Sequence, residues 1–284
     1  MSASPLISAA ELAGHLHDPG WRIVDCRFDL RQPQAGEAAY REAHIPGALY
    51  AHLDRDLSGP ITPDSGRHPL PDPQRLSATL SAWGIGPETQ VVCYDAQANA
   101  YAGRLWWLLR WLGHERVAVL DGGLKAWEEG NHALDTAAPR ISPDTFRGVP
   151  RGDMFVTTEE LAAQLDARTC RILDVRAPER FTGEKEPIDP VAGHIPGARN
   201  LPYQSNLDAS ECYLPPEALK KMYRRVLDDM PPERCVVMCG SGVTACQSLI
   251  ALELAGMKGA KLYAGSWSEW IRDPRRPVAT RDLC

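Results

Sequence analysis

Apolar and polar positions along the chain follow two alternating patterns. Short apolar runs, Ile23-Val24, Val91-Val92-Cys93, Ile172-Leu173 and Val236-Val237-Met238, are each closed off by polar or turn residues. Runs of this length, rich in β-branched residues, suit strands buried on both faces of a parallel sheet. Between them lie longer stretches with helical spacing. Ser8-Ala9-Ala10-Glu11 and Thr157-Thr158-Glu159-Glu160 each place a hydroxyl three positions before a glutamate, a capping box that opens a helix. Arg104–Leu112 and Val243–Leu254 are apolar and helix-compatible, the second ending near Gly256 as a C-cap. Strands alternating with helices predict an α/β fold around mainly parallel sheets.

The pattern is written twice. The strand ending Asp25-Cys26-Arg27 returns 149 positions later as the strand ending Asp174-Val175-Arg176, and Ser8 of the first capping box returns at the same distance as Thr157. His44-Ile45-Pro46-Gly47-Ala48 recurs as His194-Ile195-Pro196-Gly197-Ala198, and Gly122-Gly123 with Trp127 finds a looser counterpart in Gly265-Ser266 with Trp270. Three landmarks in one order mark a duplication. The predicted organisation is an N-terminal domain over residues 1–136, a linker over 137–152 that holds Pro139, Pro143 and Pro150, and a C-terminal domain over 153–284.

Composition narrows the function classes. A net charge of -6 gives no basic footprint for nucleic acid, so an anionic substrate needs a local positive site. No apolar run reaches the length of a membrane span, and the first twenty residues lack the basic start and apolar core of a signal peptide, so a cytoplasmic protein is expected. The eight cysteines are scattered and contain no Cys-x-x-Cys pair. Neither a disulfide scaffold nor a metal site is predicted, and with no glycine-rich nucleotide loop in view no bound cofactor is expected.

One stretch carries chemistry. Val236-Val237-Met238-Cys239-Gly240-Ser241-Gly242-Val243-Thr244 brings a cysteine off the end of a strand into a glycine-flanked loop that opens onto a helix. Backbone N–H groups and the helix dipole at such a turn stabilise a thiolate or another anion. A reactive Cys239 competes with the plainer reading of a small buried hydrophobe, and the Gly-Ser-Gly context favours reactivity. In the first copy Tyr94 and Asp95 fall at this place, and pairing the apolar runs sets Cys93 opposite Met238, pointing into the sheet. The first copy is therefore expected to be chemically silent. The tryptophans of Arg104–Leu112, interleaved with leucines at helical spacing, predict core and not a ligand box.

Tandem Asp-x-Arg, His-Ile-Pro-Gly-Ala and Gly-Gly…Trp landmarks with a loop cysteine only in the second copy resemble the two-domain rhodanese family of sulfurtransferases. The similarity spans nearly the whole chain, and the Cys-Gly-Ser-Gly-Val-Thr loop resembles its 3-mercaptopyruvate branch. The resemblance implies two tandem rhodanese-like domains, each a mainly parallel sheet flanked by helices. It also implies a persulfide on Cys239, cradled by Gly240, Gly242, Val243 and Thr244. A serine, histidine and aspartate relay reaching in from the first domain is carried over as Ser241, His68 and Asp54, with Asp56 a rival for the last place. Arg180 matches the family's first substrate arginine. The second, about nine residues on, has no counterpart, and Lys185 is the nearest cation to replace it.

The implied substrates are a small anionic sulfur donor and a thiol or cyanide acceptor, thioredoxin among them, with no nucleic acid or membrane partner. Thiosulfate is the alternative donor, and a non-catalytic module that senses sulfur or binds a partner is the alternative class. A phosphatase of the cysteine type needs an arginine six positions after the nucleophile, where this chain has Ala245. The paired His-Ile-Pro-Gly-Ala segments, present in both copies, are read as turns, and the Asp-x-Arg pairs as strand-end charges that fix loops.

Overall fold

The computed structural model of the protein describes residues 4–280. By packing, the chain divides into two units. One takes the chain through Gly59, then Leu70–Arg151 and Ala209–Tyr213; the other takes Pro60–Pro69, Gly152–Asp208 and the chain from Leu214 onward.

The first unit is built on a sheet of β1 (Leu6–Ile7), β2 (Trp21–Asp25), β3 (Leu49–Tyr50), β4 (Gln90–Tyr94) and β5 (Val117–Leu120), in the order β1-β5-β4-β2-β3. The second holds β6 (Phe155–Val156), β7 (Arg171–Asp174), β8 (Arg199–Asn200), β9 (Cys235–Met238) and β10 (Lys261–Tyr263), in the order β6-β10-β9-β7-β8. Every strand pairing is parallel. The two orders are the same, so the duplication read from sequence landmarks is also one of topology. Helices cover both faces, which is why the central strands are continuous apolar runs; β9 is buried along its whole length.

Each unit has its own core. Ile7, Leu12, Ile23, Val92, Tyr94, Leu120 and Trp127 form the first, and Val156, Leu161, Ile172, Val236, Met238, Tyr263, Trp267 and Trp270 the second. Trp127, Trp267 and Trp270 are fully buried with each indole N–H donated to a carbonyl, so truncating any of them costs about 3–5 kcal/mol. Trp106, Trp107 and Trp111 are likewise buried in the helix Ala102–Trp111, as core.

Local signals act as the sequence predicts. Ser8 accepts the Glu11 N–H, and Thr157 with Glu160 forms a reciprocal capping box. The two His-Ile-Pro-Gly-Ala segments are turns in which Gly47 and Gly197 take φ near +80°, where a side chain is strained. His44 stacks on Tyr40 and His194 on Phe181. Arg27 forks onto Asp25 and reaches the Ala43 carbonyl, while Arg176 forks onto Asp174 and reaches the Gly193 carbonyl. Each pair thus ties a strand end to the approach of a turn.

The proline-bearing connector runs along the first unit: Asp144 donates its N–H to Ser81, Val149 to Leu112 and Arg151 to Trp111. Among the described residues no helix is long and apolar enough to cross a membrane.

Candidate active site

Sheet topology decides where chemistry can sit in the second unit. After β7 the chain moves outward to β8, and after β9 it moves the opposite way to β10, so a crevice opens past the carboxyl ends of β7 and β9. Cys239 follows β9 directly, and Arg176 and Arg180 follow β7. The nucleophile candidate and two guanidinium groups therefore leave the sheet at one switch point.

The loop is held from one side by the segment after β10. Cys239 donates its N–H to Ser266 Oγ at 3.1 Å, its carbonyl accepts the Trp267 N–H at 3.1 Å, and the Gly240 carbonyl accepts the Ser268 N–H at 2.9 Å. Gly242 has φ +73°, and a Cβ there would stand 2.3 Å from the Ala264 carbonyl oxygen. Only glycine fits. Val243 is buried and Thr244 half-buried, and the helix Ala245–Leu254 begins after them. The sequence places that start two residues too soon, because the apolar run hides where the loop ends. Cys239 itself is 2% exposed.

His68 arrives on the loop Pro60–Pro69, which packs with the second unit although it lies within the first repeat. Gly66 donates to Glu269 Oε2 at 3.2 Å, Arg67 donates its N–H to Ser268 Oγ at 3.1 Å, and Arg272 Nε donates to the Ser65 carbonyl. Gly66 must be small, since a Cβ would lie 2.7 Å from the Gly265 carbonyl oxygen. Glu269 is fixed in turn by the Thr158 hydroxyl at 2.6 Å. These contacts bring His68 Nδ1 to 2.7 Å from Ser241 Oγ, with the two residues only 5% and 7% exposed. A buried imidazole on a hydroxyl two residues from a thiol can pass a proton in either direction, according to its tautomer.

Asp54 is exposed on the first unit, in the short helix Leu53–Asp56, where its N–H is capped by His52 Nδ1. Asp56, its rival, accepts the His52 N–H at 2.8 Å and pairs with Arg55. That carboxylate is occupied in holding the helix start.

A charged chain flanks the cysteine loop. Arg180 Nε meets both oxygens of Glu186 at 3.0 Å, and its Nη2 meets Asp189 Oδ2 at 2.9 Å. Arg67 Nη1 binds the other oxygen of Asp189. Glu186 also reaches Arg176 and accepts the N–H groups of Ile188 and Asp189. Arg176 lies over the Trp267 ring at 4.6 Å. Burial pushes the Asp189 carboxyl above its ordinary range, even though the Arg67 and Arg180 guanidiniums pull it down. Lys185 is exposed on the turn, its N–H on the Glu179 carbonyl.

Arg67 escapes the sequence reading. Its only local signal is its place beside His68, and the search for a second arginine looks downstream of Arg180, where the ninth residue is Asp189.

The first unit shows what becomes of the same loop without a thiol. Asp25 pairs with Tyr94 and Asp174 with Met238, so Asp95 stands where Cys239 does and Cys93 is opposite Val237, not Met238. The sequence pairing is one residue out of step because matching valine to valine favours the slipped register, while the register of the sheet makes Val92 the counterpart of Val236. The Asp95 carboxylate is fully buried and accepts the N–H groups of Gln97, Asn99, Tyr101 and Ala102 at 2.7–3.0 Å. An anion cradle exists there, and the chain fills it with its own side chain. Burial nonetheless holds the Asp95 carboxyl above its ordinary range, against those four bonds.

The rhodanese-like domain model matches residues 8–130 and again 157–273. The chain is 49% identical over 284 residues, 99% of its length and the whole of the relative's, to a probable 3-mercaptopyruvate sulfurtransferase of Pseudomonas aeruginosa. It is 41% identical over 281 residues, 96% of both chains, to a putative thiosulfate sulfurtransferase of Mycobacterium tuberculosis. The solved 3-mercaptopyruvate sulfurtransferase of Leishmania major superposes with a TM-score of 0.84 at 31% identity, over 95% of this chain and 76% of that one.

Proposed function

The chain belongs to the rhodanese family and is a sulfurtransferase, and we propose that it carries sulfur from 3-mercaptopyruvate to a thiophilic acceptor as a persulfide on Cys239. The contact between His68 and Ser241 beside that cysteine carries this reading. Thiosulfate already holds its sulfane sulfur next to a good leaving group. Mercaptopyruvate brings a thiol whose proton must move.

In the proposed reaction the Cys239 thiolate attacks the donor sulfur. An S–S bond forms as the C–S bond breaks, and the electron pair of that bond leaves on the enolate of pyruvate. The donor's thiol proton passes through Ser241 Oγ to His68 and returns to the enolate carbon, giving pyruvate and a Cys239 persulfide anion. N–H groups of Gly240, Gly242, Val243 and Thr244 receive that anion, as the Asp95 cradle receives a carboxylate in the first unit. An acceptor nucleophile, cyanide or a thiol such as that of thioredoxin, then takes the outer sulfur and returns the electron pair to Cys239.

Arg180 serves the donor carboxylate, for which a planar fork is the suited group. Asp54 keeps the third place in the relay on the strength of the sequence pattern alone. In this reading residues 1–136 are the half without a nucleophile, 137–152 connect the halves, and 153–284 are the catalytic half. A cytoplasmic setting accords with the absence of any disulfide joining the described cysteines.

Comparing kcat/KM for the two donors with cyanide as acceptor tests the reading, alongside intact-mass detection of one added sulfur on the protein. We expect mercaptopyruvate to be preferred and the adduct to vanish in Cys239→Ser. A preference for thiosulfate, the donor named in the Mycobacterium relative, would replace the donor assignment. An adduct that survives Cys239→Ser would remove the nucleophile.

A further inference from the structure

Arg67 and Arg180 come from distant parts of the chain and meet on one carboxylate, that of Asp189. Each nevertheless keeps donor atoms outside its ion pairs. Arg180 uses Nε and Nη2 on Glu186 and Asp189, and Arg67 uses Nη1 on Asp189. Arg67 Nε is buried with no hydrogen-bond partner among the described residues. The atoms nearest to where a Cβ would stand on Gly240 are Arg67 Nη2 at 2.8 Å and Arg180 Nη1 and Nη2 at 3.5 Å. Thus Arg67 Nη2 and Arg180 Nη1, which none of these ion pairs occupies, converge on the residue that follows the nucleophile. Two guanidinium groups that converge on one point suit a carboxylate.

Charge makes the site selective. Arg67, Arg176 and Arg180 are linked to Asp174, Glu186 and Asp189, three cations with three anions, so the chain of ion pairs carries no net charge. A donor with a single carboxylate brings one negative charge to these guanidiniums, and thiosulfate brings two. At short range in a partly buried site each unit of charge weighs heavily.

We propose that Arg67 is the second guanidinium of the donor site and that Asp189 is the residue that selects a monocarboxylate donor over a dianion. This rests on the sulfurtransferase reading. Asp189 has two functions in it: it fastens Arg67 to Arg180, and it cancels one of their charges. The arginine that the family pattern places downstream of Arg180 is thereby supplied from the loop that carries His68.

Steady-state kinetics with 3-mercaptopyruvate and thiosulfate, each with cyanide, tests this in Asp189→Asn, Arg67→Gln and Arg67→Lys. Asparagine keeps the shape of Asp189 and removes its charge, so the ratio of kcat/KM for thiosulfate to that for mercaptopyruvate is expected to rise about tenfold to a hundredfold. Arg67→Gln is expected to raise KM for mercaptopyruvate about tenfold or more with a smaller change in kcat, and lysine to restore part of the loss as a point charge without the fork. An unchanged donor ratio in Asp189→Asn, or an unchanged KM in Arg67→Gln, overturns the proposal. Should Asp189→Asn fail to fold, Arg67→Lys decides, because a wild-type KM there removes the need for a fork. If neither donor places sulfur on Cys239 of the wild-type protein, the function itself fails; if sulfur loads normally and the ratio does not move, only this inference does.

Discussion

Substituting alanine for Gly240 adds one methyl group at the point where two guanidiniums converge. Gly240 is not among the residues of positive φ, so the backbone accepts alanine, and the loss of unfolded-state freedom offsets some strain by about 0.4–1 kcal/mol. The new Cβ would lie 2.8 Å from Arg67 Nη2, the far end of a flexible side chain, which must withdraw by somewhat less than about 1 Å to reach ordinary contact. Misplacing a positioning group on that scale costs about a hundredfold in rate. Gly240→Ala is therefore expected to fold with stability within about 1 kcal/mol of wild type and to lose about ten- to a hundredfold in kcat/KM for mercaptopyruvate.

Gly242→Ala provides the opposite case two residues away. Its φ of +73° costs about 1–2 kcal/mol for any other residue, and its Cβ would strike a backbone carbonyl at 2.3 Å that cannot swing aside. A stability loss of about 3 kcal/mol or more is expected. Urea unfolding and donor kinetics on both variants separate the two effects. Gly240→Ala with wild-type kinetics, or Gly242→Ala with wild-type stability, would refute the assignment of one glycine to binding and the other to folding.

Two further outcomes follow from the relay and the ion-pair chain. His68→Asn and Ser241→Ala should each lower kcat for mercaptopyruvate about 10²- to 10⁴-fold, the usual worth of proton transfer, while thiosulfate turnover, which moves no proton in the sulfur-transfer step, falls far less; equal losses on both donors would make the contact structural. Because the Asp189 carboxyl sits above its ordinary range through burial, it takes up a proton at higher pH than a free carboxylic acid does. Protonation leaves the guanidiniums in excess. The thiosulfate-to-mercaptopyruvate ratio of kcat/KM should then rise as pH falls through that raised value, and a pH profile of Asp189→Asn should lack the rise. The stability sign is the same: protonated Asp189 is favoured in the fold, so its contribution diminishes as pH rises from the ordinary carboxylate range through the raised value.

Most of the fold is legible in the sequence because its signals are local. A capping box, an apolar run and a glycine turn are read within ten residues, and their repetition gave both sheets. Cys239 is legible for the same reason, standing between a strand and a helix. Register is not local: the slip that set Cys93 against Met238 is resolved only by the pairing of Asp25 with Tyr94 and of Asp174 with Met238 across neighbouring strands. Arg67 is beyond any periodicity, since its partner Asp189 is 122 residues away and the two meet through a loop that leaves its own repeat. The family pattern points to His68 in that loop but gives no reason to weigh the residue before it.

The Asp95 carboxylate binds the first unit's loop to its own fold. Four N–H groups in the first unit point inward at a buried carboxylate, and changing that residue to alanine would leave those donors without an acceptor, at about 1–3 kcal/mol each. Asp95 is thus the first unit's own counter-anion, like a key cast into the barrel of its lock.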